Sequence, residues 1–88
     1  MNRNLNASMI TIHVQFFAIL REQRGLSGEQ LATTAATPAA LYEELRARHG
    51  FTLPGDRVRA AVNDTFVSGE AGLRDGDRVV FIPPVAGG

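Results

Sequence analysis

A single amphipathic helix between two groups of strands is the feature that most limits how this chain can fold. Thr37 can cap the first free amides of a helix, and Pro38 suits the first helical position, where its missing N–H is not needed. Leu41 and Leu45 lie four residues apart and share one side of the helix, while Gly50 is typical of a left-handed helix end. A helix with only one apolar stripe must cover one face of one sheet.

Alternating and apolar runs on both sides of that helix predict the strands. Residues 10–16 alternate apolar and polar side chains, which indicates a strand with one exposed face. Phe17 breaks this alternation, because by parity it belongs to the polar face. The remaining predictions are a turn or short helical connection at 18–28, a weaker strand at 30–36, a loop at 51–57, short strands at 59–63 and 65–67 joined near Asn63-Asp64, a turn at Asp75-Gly76-Asp77 and a last strand at 78–82.

The last predicted strand is apolar on both faces, which indicates a central or covered position. Either Val80 and Ile82 or Val79 and Phe81 must then point away from the helix. The order of elements predicts an α+β fold of the β-grasp (ubiquitin-like) type, with a mixed four- to five-stranded sheet against one main helix. We expect a disordered extension at 1–8, the domain at 9–84 and a flexible tail at 85–88.

The residue types that are absent narrow the possible chemistry. The chain has no cysteine, which excludes disulfides, thiolate metal sites and cysteine nucleophiles. All nine basic residues are arginine, so a lysine Schiff base and self-conjugation through lysine are excluded. His13 and His49 lie far apart in sequence, and we expect no metal site. Zero net charge and no long apolar run predict a cytoplasmic protein that binds neither nucleic acid nor membrane.

The last two residues, Gly87-Gly88, leave two interpretations open. Glycines are tolerated in frayed chain ends. Two residues without side chains can also pass through a narrow tunnel into another protein, and a terminal carboxylate can be activated without cutting the chain. Pro83-Pro84 would stiffen the base of such a tail.

Four short motifs make the chain similar to a known family. They are FFAILRE at 16–22, AVNDTFV at 61–67, LRDGDRV at 73–79 and FIPPVAGG at 81–88. On these motifs the chain resembles, from Met9 to Gly88, the small subunits of molybdopterin synthase, which are β-grasp sulfur carriers of molybdenum-cofactor biosynthesis. The Pro-Pro-Val-x-Gly-Gly ending is the most specific part, because thiamine-pathway carriers and ubiquitin-like proteins share the fold and only the terminal Gly-Gly. The departures are the N-terminal extension and Phe66, where an aliphatic residue is common.

The resemblance implies a chemistry centred on Gly88. An E1-like adenylyltransferase would use ATP to form an acyl-adenylate there, and a sulfur donor (a sulfurtransferase or cysteine desulfurase) would convert it into a thiocarboxylate. The large catalytic subunit of molybdopterin synthase, in a heterotetramer, would then receive the tail, and the sulfur would pass to cyclic pyranopterin monophosphate to build the dithiolene. The chain alone would be non-catalytic, with no bound cofactor. A carrier for thiamine or transfer-RNA thiolation, a ubiquitin-like protein modifier and a plain interaction domain remain alternatives.

The resemblance also implies binding residues in the tail and on the domain surface. In the tail they are Val85 and Gly87. On the surface they form an exposed apolar patch, which consists of Phe17, Phe66 and Ile82. A loop or the N-terminal extension covering this patch is the alternative. Three arginines could guide the activating enzyme or could equally be solvated surface charges: Arg21, Arg74 and Arg78.

Overall fold

The strands and helices follow one another in the predicted order. In the computed structural model, which describes residues 9–84, they are β1 (Ile10–Phe16), α1 (Ala18–Arg24), β2 (Gly28–Thr33), α2 (Pro38–His49), a 3-10 helix (Gly55–Arg57), β3 (Arg59–Val62), β4 (Thr65–Val67) and β5 (Arg78–Ile82). The predicted connection at 18–28 thus contains α1, and the predicted loop at 51–57 contains the 3-10 helix. The expected extension at 1–8 and tail at 85–88 lie outside the described residues.

The five strands form one mixed sheet in the order β2-β1-β5-β3-β4. β1 and β5 pair in parallel, whereas β1 with β2, β3 with β4 and β3 with β5 pair antiparallel. β5 is therefore central, as its apolar faces predicted. α2 packs across one face of the sheet, which is the β-grasp arrangement, and the predicted α+β class is confirmed.

α2 begins and ends where its capping residues predicted. The Thr37 hydroxyl accepts a hydrogen bond from the Ala40 N–H at 3.1 Å, and Gly50 closes the helix with φ 73°. The sheet-facing side buries Leu41 and Leu45 as expected, together with two further residues, Pro38 and Tyr42.

The core between α2 and the sheet is built from aliphatic residues and a small aromatic cluster. Phe81 on β5 meets Tyr42 edge-to-face with ring centroids 5.3 Å apart, and Phe16 meets Phe51 at 5.8 Å. The Tyr42 hydroxyl donates a hydrogen bond to the Leu53 carbonyl at 2.7 Å, so its polar end is satisfied beside the core. This packing fixes which face of β5 points towards α2.

The second strand begins two residues earlier and ends three residues earlier than the predicted range of 30–36. Its register pairs Gln15 with Gly28 and Ile10 with Thr33, so the ladder with β1 is complete at Thr33. The Thr33 hydroxyl then accepts a hydrogen bond from the Ala35 N–H at 3.0 Å, which turns the chain away from the sheet. The predicted strand boundaries were wrong because this local side-chain bond ends the strand.

The two turns predicted from Asn, Asp and Gly are confirmed. Asn63 and Asp64 have φ 50° and φ 74° and join β3 to β4 in a two-residue hairpin, where positive φ matches the strand twist. Gly76 has φ 89° in the turn before β5. In that turn the Asp75 carboxylate accepts a hydrogen bond from the Thr11 N–H at 2.7 Å, which fastens the approach to β5 onto the start of β1.

Candidate functional site

The predicted reactive tail residues lie outside the part of the chain that the structure describes. Val85, Gly87 and Gly88 follow Pro84, the last described residue. β5 leads directly into Pro83, which is buried, and Pro84, which is exposed. Proline donates no ladder hydrogen bond, so the pair ends the strand. The described chain therefore reaches the tail from the end of the central strand.

The structure shows which residues of β5 point away from α2, a choice between two pairs that the sequence left open. Val79 and Phe81 are 0 % and 1 % exposed and face α2. Val80 and Ile82 alternate with them, are only partly buried and lie on the opposite side of the sheet, which we call the outer face. The first of the two alternatives is correct, and Ile82 lies where the docking patch requires it.

Phe17 is exposed on the side of the first strand that the alternation predicted. β1 ends at Phe16, but Phe17 keeps an extended backbone (φ −126°, ψ 153°), so its side chain follows His13 and Gln15 on the side opposite the core. Phe17 is the extended residue that precedes α1, and Ala18 after it has φ 54°, an uncommon conformation for a residue with a Cβ. Phe17 is 40 % exposed beside this sharp entry into α1.

An apolar groove of about 580 Å³ connects the start of α1 with the base of the tail. Its lining residues come from the start of α1, from the loop before the 3-10 helix and from the end of β5: Phe17, Ala18, Ile19, Leu53, Ile82 and Pro83-Pro84. Two of the three predicted patch residues therefore meet in one groove. The sequence analysis missed Ile19 and Leu53, for which the only signal was an apolar residue in a mostly polar segment.

Phe66 reaches the same face of the sheet from β4. It is 54 % exposed and pairs with Ala61 on β3, which in turn pairs with Val80 on β5. These three residues form a row across the outer face, beside the groove that holds Ile82. We call Phe17, Phe66, Val80 and Ile82 the docking face. Their exposure shows that no loop within residues 9–84 covers the three predicted positions completely.

A further residue on the outer face, Arg59, was missed by the sequence analysis. It is the first residue of β3, pairs with Ile82 across the ladder and places its guanidinium carbon 4.2 Å from the centroid of the Phe66 ring. A cation at this distance is attracted by the face of an aromatic ring. The available signal was its two-residue spacing from Ala61, which places both on one side of β3.

The three arginines considered for the activating enzyme have different surroundings. Arg78 donates hydrogen bonds to the Asp64 carboxylate at 3.0 and 3.1 Å, so its positive charge is partly balanced by a neighbouring negative charge. Arg21 lies exposed in the last turn of α1, and Arg74 is exposed before the Asp75-Gly76-Asp77 turn. Arg21 is the only one of the three that belongs to the helix beside the groove.

The titratable groups with shifted pKa values lie on the helix side of the sheet. The hydrogen-bonded Arg24 guanidinium, 2.7 Å away, lowers the pKa of Glu29, and burial lowers the pKa of His49. Burial also raises the pKa of Tyr42. Within residues 9–84, no group of three or more His, Asp or Glu side chains is placed to hold a metal ion. The helices of that region are too short or too polar to span a bilayer.

Comparison of the sequence with known proteins shows the family to which this chain belongs. Residues 14–88 match the ThiS family. The chain is 41 % identical over 80 residues to the molybdopterin synthase sulfur carrier subunit of Escherichia coli, with 88 % of this chain and 99 % of that subunit covered.

Solved structures agree with this match. A Pyrococcus furiosus protein described as subunit 1 of molybdopterin converting factor superposes with a TM-score of 0.71 at 32 % identity, covering 86 % of this chain and 99 % of that one. A complex of subunits 1 and 2 of molybdopterin-converting factor from Helicobacter pylori contains a chain with a TM-score of 0.60 at 26 % identity, covering 90 % and 100 %. The chain described above belongs to the ThiS family and is a homologue of the molybdopterin synthase sulfur carrier subunits.

Proposed function

We propose that this chain is the sulfur carrier subunit of molybdopterin synthase and that Gly88 carries the sulfur. The observation that carries the proposal is the 41 % identity to the Escherichia coli sulfur carrier subunit over 99 % of its length. Two further features support it. The family match extends to residue 88, and an exposed apolar groove adjoins Pro83-Pro84 at the base of the tail.

The proposed chemistry takes place at the carboxyl group of Gly88. A carboxylate is a poor electrophile, so an E1-like adenylyltransferase first transfers AMP from ATP onto it and releases pyrophosphate. A donor that supplies sulfur at the level of sulfide then attacks the acyl carbon and expels AMP, which leaves a thiocarboxylate. This sulfur is a much better nucleophile than a carboxylate oxygen. The chain has no cysteine, so it has no thiol of its own that could carry the sulfur instead.

In the second stage the tail delivers its sulfur inside the large catalytic subunit. The thiocarboxylate sulfur attacks a carbon of cyclic pyranopterin monophosphate and displaces an oxygen substituent, which leaves with a proton, and water then cleaves the resulting thioester. This returns the Gly88 carboxylate and leaves the sulfur on the pterin. Val85 and Gly87 would lie inside the tunnel of the large subunit, and Gly87 fits a narrow tunnel because it has no side chain. We propose two carriers on a dimer of large subunits.

The domain's part in this cycle is to present the tail to its partners. Phe17, Phe66 and Ile82 supply exposed apolar area of the kind that marks an interaction site. The Helicobacter pylori relative was solved as a complex of subunits 1 and 2, which supports a large subunit as the binding partner that we assign to this face. Arg21, beside the groove, is our candidate contact for the activating enzyme.

Intact-mass spectrometry of the charged carrier tests the proposal. The full chain is incubated with the E1-like adenylyltransferase, ATP and a sulfide source, and we expect one terminal oxygen to be replaced by sulfur. A variant that lacks Gly88 and a variant with one residue added after it are the controls, and both should stay unmodified. An unchanged mass of the full chain, under conditions that charge the Escherichia coli carrier, would refute the mechanism.

A sulfur carrier of another pathway is the second candidate, because the matched ThiS family also includes such carriers. Affinity purification of the tagged chain from its own cells separates the two functions. The large subunit of molybdopterin synthase in the purified material supports the first function, and a thiazole synthase supports the second. Covalent adducts on lysines of other proteins would instead indicate a ubiquitin-like modifier.

A further inference from the structure

Among the arginines of residues 9–84 that have no carboxylate partner, Arg59 is the one whose guanidinium group lies over an aromatic ring. Four arginines form ion pairs with carboxylates of this chain at 2.7 to 3.6 Å: Arg24, Arg46, Arg48 and Arg78. Arg59 has no carboxylate within 4.0 Å among residues 9–84, and its guanidinium carbon lies 4.2 Å from the centroid of the Phe66 ring. The ring attracts the cation without neutralising it.

The position of Arg59 puts this charge inside the docking face. Its register partner on β5 is Ile82, and the next outward residue along β3, Ala61, pairs with Phe66. Arg59 therefore lies between the two apolar side chains that a partner would cover. Ala61 adds only a methyl group, so the long stem of Arg59 and the Phe66 ring form most of the surface on this side.

Covering Phe66 and Ile82 removes water from the guanidinium group as well. A cation that loses its water without gaining a partner opposes binding, and the ring face replaces only part of the lost hydration. A carboxylate opposite Arg59 would supply two parallel hydrogen bonds in the geometry that a guanidinium group favours. A partner surface that is apolar throughout would leave the charge unsatisfied and would be rejected.

We propose that Arg59 is a specificity-determining residue of the docking face, and that it selects a large subunit bearing an Asp or Glu side chain within an apolar surface. This inference rests on the proposed function, because it takes the large subunit as the partner. It adds a chemical requirement that apolar complementarity alone does not impose.

Affinity measurements with the full chain and the large subunit of the same organism test the role of the charge. Arg59→Gln removes the charge and keeps most of the length, and we expect it to weaken binding about tenfold or more, because the partner's carboxylate is left unpaired. Arg59→Lys keeps the charge but loses the planar guanidinium group, so its affinity should lie between those of the wild type and Arg59→Gln. Arg48→Gln, which removes an equal charge from α2, is the matched control and should change the affinity by less than about twofold.

A charge swap tests the chemistry of the partner. Arg59→Glu should abolish binding to the wild-type large subunit, and replacing the facing Asp or Glu of that subunit by Arg should restore it. Urea unfolding of each carrier variant checks that the domain remains folded.

The possible failures separate this inference from the proposed function. If the wild-type chain binds the large subunit and Arg59→Gln binds equally tightly, the inference is wrong and the proposed function stands. If the wild-type chain does not bind the large subunit at all, both are wrong. Self-association of the full chain that Arg59→Gln abolishes would assign this face to a second copy of the chain and overturn the inference.

Discussion

Replacing Phe66 or Phe81 by alanine compares two identical side chains on opposite faces of one sheet. Phe81 is 1 % exposed and packs edge-to-face on Tyr42 at 5.3 Å. Phe66 is 54 % exposed, and its closest described interaction is with Arg59. The same chemical deletion should therefore affect folding at one site and binding at the other.

The expected sizes follow from these surroundings. Phe81→Ala removes a fully buried ring and leaves a cavity, which should lower the free energy of unfolding by about 3–5 kcal/mol. That is a large part of the roughly 5–15 kcal/mol that stabilises a typical domain. Phe66→Ala loses a half-exposed ring and one exposed cation–π contact, so the free energy of unfolding should fall by only about 1 kcal/mol. If the large subunit buries the exposed half of the Phe66 ring, binding should weaken by about 1–2 kcal/mol, or roughly five- to thirtyfold.

Urea unfolding followed by circular dichroism gives the two stabilities, and calorimetric titration with the large subunit gives the affinities. Only the folded variants enter the binding comparison, and Phe66→Ala is expected to be one of them. The reasoning is refuted if Phe66→Ala unfolds as readily as Phe81→Ala, because Phe66 would then belong to the core. It is also refuted if Phe66→Ala remains folded and binds the large subunit as tightly as the wild type.

Three further predictions concern the groove, a half-buried histidine and a helix cap. Phe17→Asp and Ile82→Asp should each leave the domain folded by circular dichroism but weaken large-subunit binding in a pull-down, and normal binding by both would remove the groove from the docking face. Burial lowers the pKa of His49 in the folded state from its ordinary value of 6.5, so the unfolded state takes up the proton first and the free energy of unfolding should fall as the pH drops below about 6.5. His49→Gln should flatten this part of a profile of urea stability against pH, and an unaltered slope would contradict the assignment. Thr37→Ala removes the hydroxyl that caps Ala40 and should lower the free energy of unfolding by about 1 kcal/mol, whereas an unchanged urea midpoint would show that the cap contributes nothing.

Local sequence signals predicted the elements whose cause is local. The Thr37 cap and Gly50 helix end depend on a few neighbouring residues, and both bounds of α2 are confirmed. The central position of β5 followed from its apolar faces, although only the side that faces α2 is fully buried and Val80 and Ile82 on the other side are partly exposed. The α+β fold was predictable because a helix with one apolar stripe must cover one face of a single sheet.

Features that depend on strand register or on an unusual backbone conformation were not predictable in the same way. The end of β2 depends on the Thr33 hydroxyl and on the register with β1, which no period-two pattern contains. The start of α1 directly after Phe17 depends on the positive φ of Ala18, a conformation that alanine seldom adopts. The position of Arg59 over Phe66 required the pairing of β3 with β4 to be known.

The location of β5 also has a mechanical consequence for any partner that pulls on the tail. β5 is hydrogen-bonded to β1 on one side and to β3 on the other, and it runs directly into Pro83-Pro84. A force applied along the chain at Pro84 therefore loads two ladders in shear at once, so that many hydrogen bonds must break together. An edge strand could instead be peeled away one bond at a time. The sheet thus anchors this end of the domain where a partner drawing the tail into a tunnel would exert its force.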